Sequence, residues 1–400
     1  MEKFTSCEQA LDLLFEKWTP AVGTEMVPVA DALDRIPARE YTALHSIPVV
    51  RASAMDGVAV RSACFADGAP DTSGWKLGED YVRADTGDDF DNRFDAVIRI
   101  EDVTLPPEGG LQIKEGVSVT AGMNVRGAGS SFREGTRLND AGLPLRPSDL
   151  AALAMGGVTE VEVRKKPRVA FLPTGSELIP VGAPLRRGCN YDTNSLLVSL
   201  TLEQMGAQPV CYPIIPDDPE ELKSALHKAL DEADVVIING GSSKGSEDFN
   251  TRLLASEGEF LFHGVAAAPG RPLSMAIVGG KPVINMAGPA LAAFYTLEWC
   301  IRPVVCRCLG LPVPKKQTIR GKLTKPMHGG APLNLLSRVE VRRTRDGYTV
   351  TPFGRGEADL PAMLRTNAML IIRAGAPSRA AGAEVEVELL RNETEIPCEE

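Results

Sequence analysis

Between residues 168 and 309, short apolar runs alternate with segments of helical period, and this alternation constrains the fold more than any other feature of the chain. RVAFLP (168–173) reads as a buried strand opening into the loop Thr174-Gly-Ser-Glu177. TNSLLVSLTLEQM then reads as a helix stopped by Gly206, and PVCYPII (209–215) as the next strand. Asp218-Pro219-Glu220-Glu221 places an acidic cap and a first-turn proline at the start of a helix that runs to about Ala233. The strand DVVIIN (234–239) follows and leaves into a glycine-rich loop, Gly240-Gly-Ser-Ser-Lys-Gly245. Strands separated by helices of this length predict a parallel sheet with helices on both faces.

The flanking segments follow other rules. Ser6 and Gln9 fit a capping box ahead of the apolar stripe Ala10, Leu11, Leu14, Phe15 and Trp18, so the N-terminus predicts a helix. Residues 24–137 carry short β-like runs broken by Gly, Pro and Asp, and 147–155 turn helical again with Ser148 as the expected cap. A long helix is expected over 289–309, and LPVPKK then marks a linker. Beyond it, 337–342 and 348–351 flank an Asp346-Gly347 hairpin signal, and GAEVEVELL alternates with period two. A small β-barrel or sandwich fits that pattern. The expected organisation is multidomain, α/β plus β. It comprises a split N-terminal helical and linker domain (1–23 and 138–164), a β-rich second domain (24–137), an α/β domain (165–311) and a C-terminal β-domain (315–391).

Charge and composition exclude several functions. With 43 Lys and Arg against 53 Asp and Glu the net charge is −10, which works against attraction to nucleic acid or anionic lipid. The basic clusters at 164–166 and 314–316 are short and fall at expected domain junctions, so no nucleic-acid partner is expected. No apolar run is long enough to span a membrane. MEKFTSCEQALDLLFEKW carries acids inside its apolar stretch and lacks a small-residue cleavage site, which argues against a signal peptide and for a cytoplasmic protein. The 8 cysteines form no C-x-x-C pair and no histidine stands at zinc-ligand spacing, so reduced structural thiols are expected.

The chemistry concentrates in the α/β segment. The loop from Gly240 to Asp248 leaves a buried strand at its C-terminal end, where open α/β sheets bind ligands. Adjacent glycines let main-chain N–H groups turn toward an anion, and the helix start that follows favours negative charge. Glu177 stands after the first strand, Asp217 and Asp218 after the second, and Asp248 after the third, so four acids share one sheet edge with an anion loop. Carboxylates beside a phosphate site suit Mg²⁺, which takes one or two of them plus phosphate oxygens. Asp218 is equally accounted for as a helix cap. On these residues alone, a Mg²⁺-dependent phosphohydrolase or nucleotidyltransferase fits.

A resemblance narrows this. Ser53-Ala-Met-Asp-Gly-Val-Ala-Val60 resembles the S-A-M-D-G-Y-A-V signature of the MoeA and gephyrin E-domain family, the molybdopterin molybdenumtransferases. In the same order as in that family, Asp85-Thr-Gly87 resembles its threonine-glycine turn and Asn124-Val-Arg126 its N-I-R segment. Thr174-Gly-Ser-Glu177 is similar to T-G-D-E, Asp192-Thr-Asn194 to D-S-N, 240–248 to G-G-V-S-x-G-x-x-D, and Pro269-Gly-Arg-Pro272 to P-G-K-P. The resemblance implies a homodimer whose α/β domain is like that of the MogA-type molybdopterin-binding proteins, with a C-terminal β-barrel. It implies insertion of molybdate into adenylylated molybdopterin, with release of AMP and a need for Mg²⁺. Other molybdenum-cofactor biosynthesis proteins are implied as partners.

By the same resemblance the catalytic residues are Asp56, Thr86, Glu177, Asp248 and Arg338. Those that bind the pterin nucleotide or oxyanion are Gly175, Ser176, Asn194, Gly240, Gly241, Ser242, Ser243, Gly245, Pro269, Gly270 and Arg271, and those that hold Mg²⁺ are Asp217, Asp218 and Asp248. The chain departs from the family pattern at Ala268 and Arg271, where lysines are usual, at Met286-Ala-Gly-Pro-Ala290 in place of L-P-G-N-P, at Ser130-Ser131, and at Glu357 in place of a serine. These departures keep open an alternative, a catalytically degenerate paralogue that binds molybdopterin or nucleotide as a carrier, scaffold or regulator.

Overall fold

The computed structural model describes residues 4–107, 109–240, 249–353 and 365–399. Its contacts divide the chain into two units, Thr24–Arg164 and the remainder, Met1–Gly23 with Lys165–Glu400.

In the unit Thr24–Arg164, strand Thr24–Pro28 pairs antiparallel with Glu160–Arg164. Leu145, Leu153, Val161 and Val163 share a core with Val29, Ala32 and Tyr41. The helix Pro147–Met155 is capped by Arg146 and not by Ser148: Pro147 takes the first helical position, which places Ser148 inside the first turn. The main-chain N–H of Arg146 donates to Asp149 Oδ2 at 2.9 Å. A second core surrounds strand Gly57–Val60, which pairs antiparallel with both Tyr81–Ala84 and Ala96–Arg99. All residues of that strand are buried, with Val58 and Val60 packing against Ile98 and Leu111, and Ala59 against Phe94 and Val97. It emerges directly from Asp56.

The other unit begins with the helix Cys7–Lys17, capped reciprocally by Ser6 and Gln9. Its centre is a six-stranded sheet of β1 (Arg168–Pro173), β2 (Gln208–Cys211), β3 (Val235–Asn239), β4 (Glu259–His263), β5 (Ser274–Val278) and β6 (Lys281–Met286) in the order 2-1-3-6-5-4. β1 is parallel to β2 and β3, and β3 to β6, as the alternating pattern predicts. β5 runs against its neighbours, because Gly279 and Gly280, with φ of 58° and 78°, join it to β6 in a two-residue turn too short for a crossover. β2 stops at Cys211, short of the expected run, and the prolines that follow at 213 and 216 cannot donate to a ladder.

Alternate residues of the buried strands face opposite sides. Ala170, Leu172, Val236 and Ile238 share a core with Leu222, Leu226 and Leu253 of the helices Pro219–Glu232 and Phe249–Glu257. Val169, Phe171, Val235 and Ile237, on the opposite face, are also fully buried. The expected helix over 289–309 is present as Ala290–Thr296 and Arg302–Leu309 with a π turn, Leu297–Ile301, between them. Pro303 lacks the N–H that a regular ladder would need there, and the wider turn accommodates it.

Strands Thr318–Leu323, Asn334–Thr344, Gly347–Pro352, Ala368–Ile372 and Glu384–Leu389 form the C-terminal barrel. It closes because Asn334–Thr344 pairs on one side with Gly347–Pro352, across the expected hairpin, and on the other with Ala368–Ile372. Glu298 of the π turn takes hydrogen bonds or ion pairs from Arg302 and Lys316, each at 2.8 Å, and so ties the helix to the linker. Among the described residues no helix is long and apolar enough to cross a membrane.

Candidate active-site cleft

The C-terminal ends of β1, β2, β3 and β6 open onto a cleft of about 720 Å³. Close backbone approach shapes it. Thr174 N–H donates to Asn239 O at 2.9 Å, Gly175 N–H to Ile215 O at 3.0 Å, and Gly240 N–H to Met286 O at 3.1 Å. Gly240 has φ of 121°, and a Cβ there would stand 2.4 Å from Thr174 O, so neither the conformation nor the space admits a side chain. Gly175 has φ of 148°, and a Cβ would meet the Glu177 carboxylate at 2.8 Å.

The expected acids take distinct places. Glu177, Asp217 and Asp218 all line the cleft and are exposed. Asp217 Oδ2 accepts from Ser176 N–H at 3.1 Å, and Ser176 Oγ accepts from Asp217 N–H at 3.0 Å, which clasps the loops after β1 and β2 together. Asp218 Oδ1 accepts from Glu220 N–H and Glu221 N–H at 2.9 and 3.0 Å and caps the next helix. Gly241, Ser242, Ser243, Gly245 and Asp248 lie outside the described residues, as does Glu357.

Asparagines floor the cleft. Asn194 Nδ2 donates to Asn239 Oδ1 and to Gly288 O, both at 2.7 Å, while Asn239 Nδ2 donates to Ala287 O at 2.9 Å. Asn250 Nδ2 reaches Gly240 O at 3.0 Å and Asn285 Oδ1 at 3.1 Å. The Asn194 amide carbonyl is buried with no hydrogen-bond partner among the described residues. Of this set only Asn194 was among the expected site residues. The others carried a readable signal, since Asn239 and Asn285 interrupt otherwise apolar strands.

Pro269, Gly270, Arg271 and Arg338 belong to the same unit but are not among the residues that line this cleft. The loop 269–272 passes over Thr296, whose hydroxyl would be 3.5 Å from a Cβ on Gly270. Arg338, buried on strand Asn334–Thr344, lies near Tyr295: burial pushes the Tyr295 phenol up, and the Arg338 charge opposes that. The Tyr295 and Thr296 hydroxyls are buried without partners among the described residues. Asp56 and Thr86 belong to the unit Thr24–Arg164. There Asp56 Oδ1 accepts from Thr86 N–H and from Thr86 Oγ1–H, both at 2.7 Å, and these bonds hold the carboxyl below its usual range.

Comparison with known proteins covers nearly the whole chain. Residues 5–157 match the MoeA N-terminal region (domain I and II), 170–307 a probable molybdopterin binding domain, and 320–390 the MoeA C-terminal region (domain IV). A Haemophilus influenzae protein named molybdopterin molybdenumtransferase is 28% identical over 404 residues, which spans 95% of this chain and 97% of the relative. A Staphylococcus aureus protein of the same name is 28% identical over 385 residues, 92% of this chain and 91% of its own. The solved structure of a molybdopterin biosynthesis MoeA protein from Pyrococcus horikosii superposes with a TM-score of 0.79 at 26% identity, over 98% of this chain and 100% of that one.

Proposed function

The chain belongs to the MoeA family of molybdenum cofactor biosynthesis, and from that premise we propose that it inserts molybdate into adenylylated molybdopterin with release of AMP. The observation that carries this reading is the meeting of Glu177, Asp217 and the close-packed glycine turns of β1 and β3 on one cleft. The alternative of a carrier or scaffold is not favoured, because the full-length relatives are named as transferases.

In this reading the loop after β3 receives the phosphates through main-chain N–H groups, which need no side chain and therefore tolerate substitution around them. Gly240 lets the main chain approach, and Asn239 and Asn194 fix the neighbouring loops so that these amides need not reorganise when charge arrives. Arg338 with Pro269, Gly270 and Arg271 forms the oxyanion side. Asp56 and Thr86 come from a partner copy, so the active form is a homodimer, with other cofactor-biosynthesis proteins as further partners and the cytoplasm as its place.

Mg²⁺ fits the donor chemistry. Asp217 keeps one carboxylate oxygen unengaged among the described residues, Asp218 lines the same cleft, and Asp248 is the third ligand that the family resemblance implies. No group of three or more His, Cys, Asp or Glu forms a ready cage among the described residues, so the ion would need the substrate's phosphate oxygens. When bound, Mg²⁺ supplies positive charge to those oxygens.

The test is AMP release from adenylylated molybdopterin with molybdate and Mg²⁺ present. The expected result is turnover by the native protein and its loss in Asp248→Ala and Asp217→Ala. Tight binding of the nucleotide with no AMP release by the native protein would reinstate the carrier reading, and a monomer by light scattering would remove the shared site.

A further inference from the structure

Phe4 is absent from every set of site residues read from the sequence, yet it lies directly against one of them. The Arg271 guanidinium carbon stands 4.3 Å from the centroid of the Phe4 ring. Among the described residues no carboxylate pairs with Arg271, so its N–H groups are uncommitted. Both partners are held by main chain. Arg271 O accepts from Val265 N–H and Leu273 N–H, each at 2.9 Å, and Ala266 N–H donates to Thr5 O at 2.7 Å. Gly264 leaves the space in which the ring sits, since a Cβ there would come within 2.9 Å of Phe4. The capped helix that starts three residues later, at Cys7, is tied to β4 by Lys17 and Glu259 at 2.8 Å. The ring is therefore seated on the fold and is not a loose terminus.

We propose that Phe4 is a positioning residue for oxyanion binding, its ring holding the face of the Arg271 guanidinium so that the N–H edge is presented to molybdate. The proposal rests on the assignment of Arg271 to the oxyanion side made above. Its physical basis is that stacking occupies the π face of a guanidinium and leaves the in-plane donors free. Where the family carries a lysine, a compact ammonium needs no such orientation. An arginine on a flexible stem does, because an unrestrained fork loses rotamer freedom on meeting its anion. The aromatic seat and the arginine thus form a matched pair in this chain.

Calorimetric titration with molybdate, together with the KM for molybdate and kcat in AMP release, tests this in the full-length protein. Phe4→Leu, which keeps volume but removes the ring, is expected to weaken molybdate binding and raise its KM by roughly two- to fivefold with kcat unchanged, the range one partly exposed cation–π contact supplies. Phe4→Tyr should restore native values, and Phe4→Leu should add nothing in an Arg271→Ala background. A lowered kcat at unchanged KM, or an undiminished effect in the Arg271→Ala background, would show that the ring only packs and would overturn the proposal. If Arg271→Ala itself leaves molybdate affinity unchanged, the assignment of Arg271 fails and the proposal with it. A loss in Arg271→Ala with none in Phe4→Leu overturns the clamp alone.

Discussion

Asn239 ties the cleft together, and its removal has a calculable cost. The residue is 3% exposed, donates to Ala287 O at 2.9 Å and accepts from Asn194 Nδ2 at 2.7 Å. Asn239→Leu preserves bulk but leaves the Ala287 carbonyl and one Asn194 N–H buried without partners. Each orphaned group costs about 1–3 kcal/mol. Asn194 keeps its bond to Gly288, which places its share at the low end, so the total is about 3 kcal/mol. At an m-value of about 2–3 kcal/mol/M, the urea midpoint of the transition that reports this unit should fall by about 1 M. Asn239→Asp separates the two bonds: it keeps the acceptor for Asn194 but turns the donor into a carboxylate oxygen against Ala287 O. Its deficit should shrink at acid pH, where the protonated carboxyl can donate again. A Leu variant whose midpoint moves by less than about 0.2 M would mean that the freed groups find other partners, and the reasoning would fail.

Three further expectations follow from individual contacts. Gly240→Ala should destabilise the unit by about 2–4 kcal/mol, from positive φ and a Cβ 2.4 Å from Thr174 O, and an unchanged melt would refute the close approach. Burial opposes ionisation of Glu298, but hydrogen bonds from Arg302 and Lys316 outweigh it and hold its carboxyl below the ordinary 4.5. The stability this lends is complete above that value and lost as pH falls through the lowered one, so melting curves of the native protein and Glu298→Gln should converge at acid pH; parallel curves would sink the claim. Under native conditions a thiol reagent should label the exposed Cys64 and Cys398 well before Cys300 or Cys308, since burial pushes the Cys308 thiol up to about 12 and also raises Cys300; equal rates would contradict the packing.

What could be read from the sequence depended on how local its cause was. Strand–helix alternation, the Ser6–Gln9 and Asp218 caps and the Asp346-Gly347 hairpin were all legible, because each is fixed within a few residues. The reversal of β5 was signalled by Gly279-Gly280, a hairpin turn embedded in a pattern that otherwise reads as crossovers. The π turn at Leu297–Ile301 depended on one proline within a helical period, and the missed asparagine floor on contacts between residues as far apart as Asn194 and Gly288. That Glu177, Asp217 and Asp218 share a cleft was legible because the ends of parallel strands converge wherever the fold forms. Phe4 was not, since nothing near it in sequence marks the ring that seats Arg271.

The same distinction bears on the departures from the family pattern around 286–290. Replacing L-P-G-N-P by Met286-Ala-Gly-Pro-Ala290 changes nearly every side chain in that loop. Yet the contacts that hold it are made to main chain: Asn239 to the carbonyl of Ala287, Asn194 to that of Gly288, and Gly240 N–H to that of Met286. A carbonyl is presented by any residue that can adopt the backbone, so the loop can drift in sequence while keeping its place against β3. Gly288, the one position shared with the family motif, faces Gly240: a Cβ there would lie 3.7 Å from the Gly240 Cα, an ordinary contact distance. The path of this loop therefore depends less on its own side chains than on Asn194, Asn239 and Gly240.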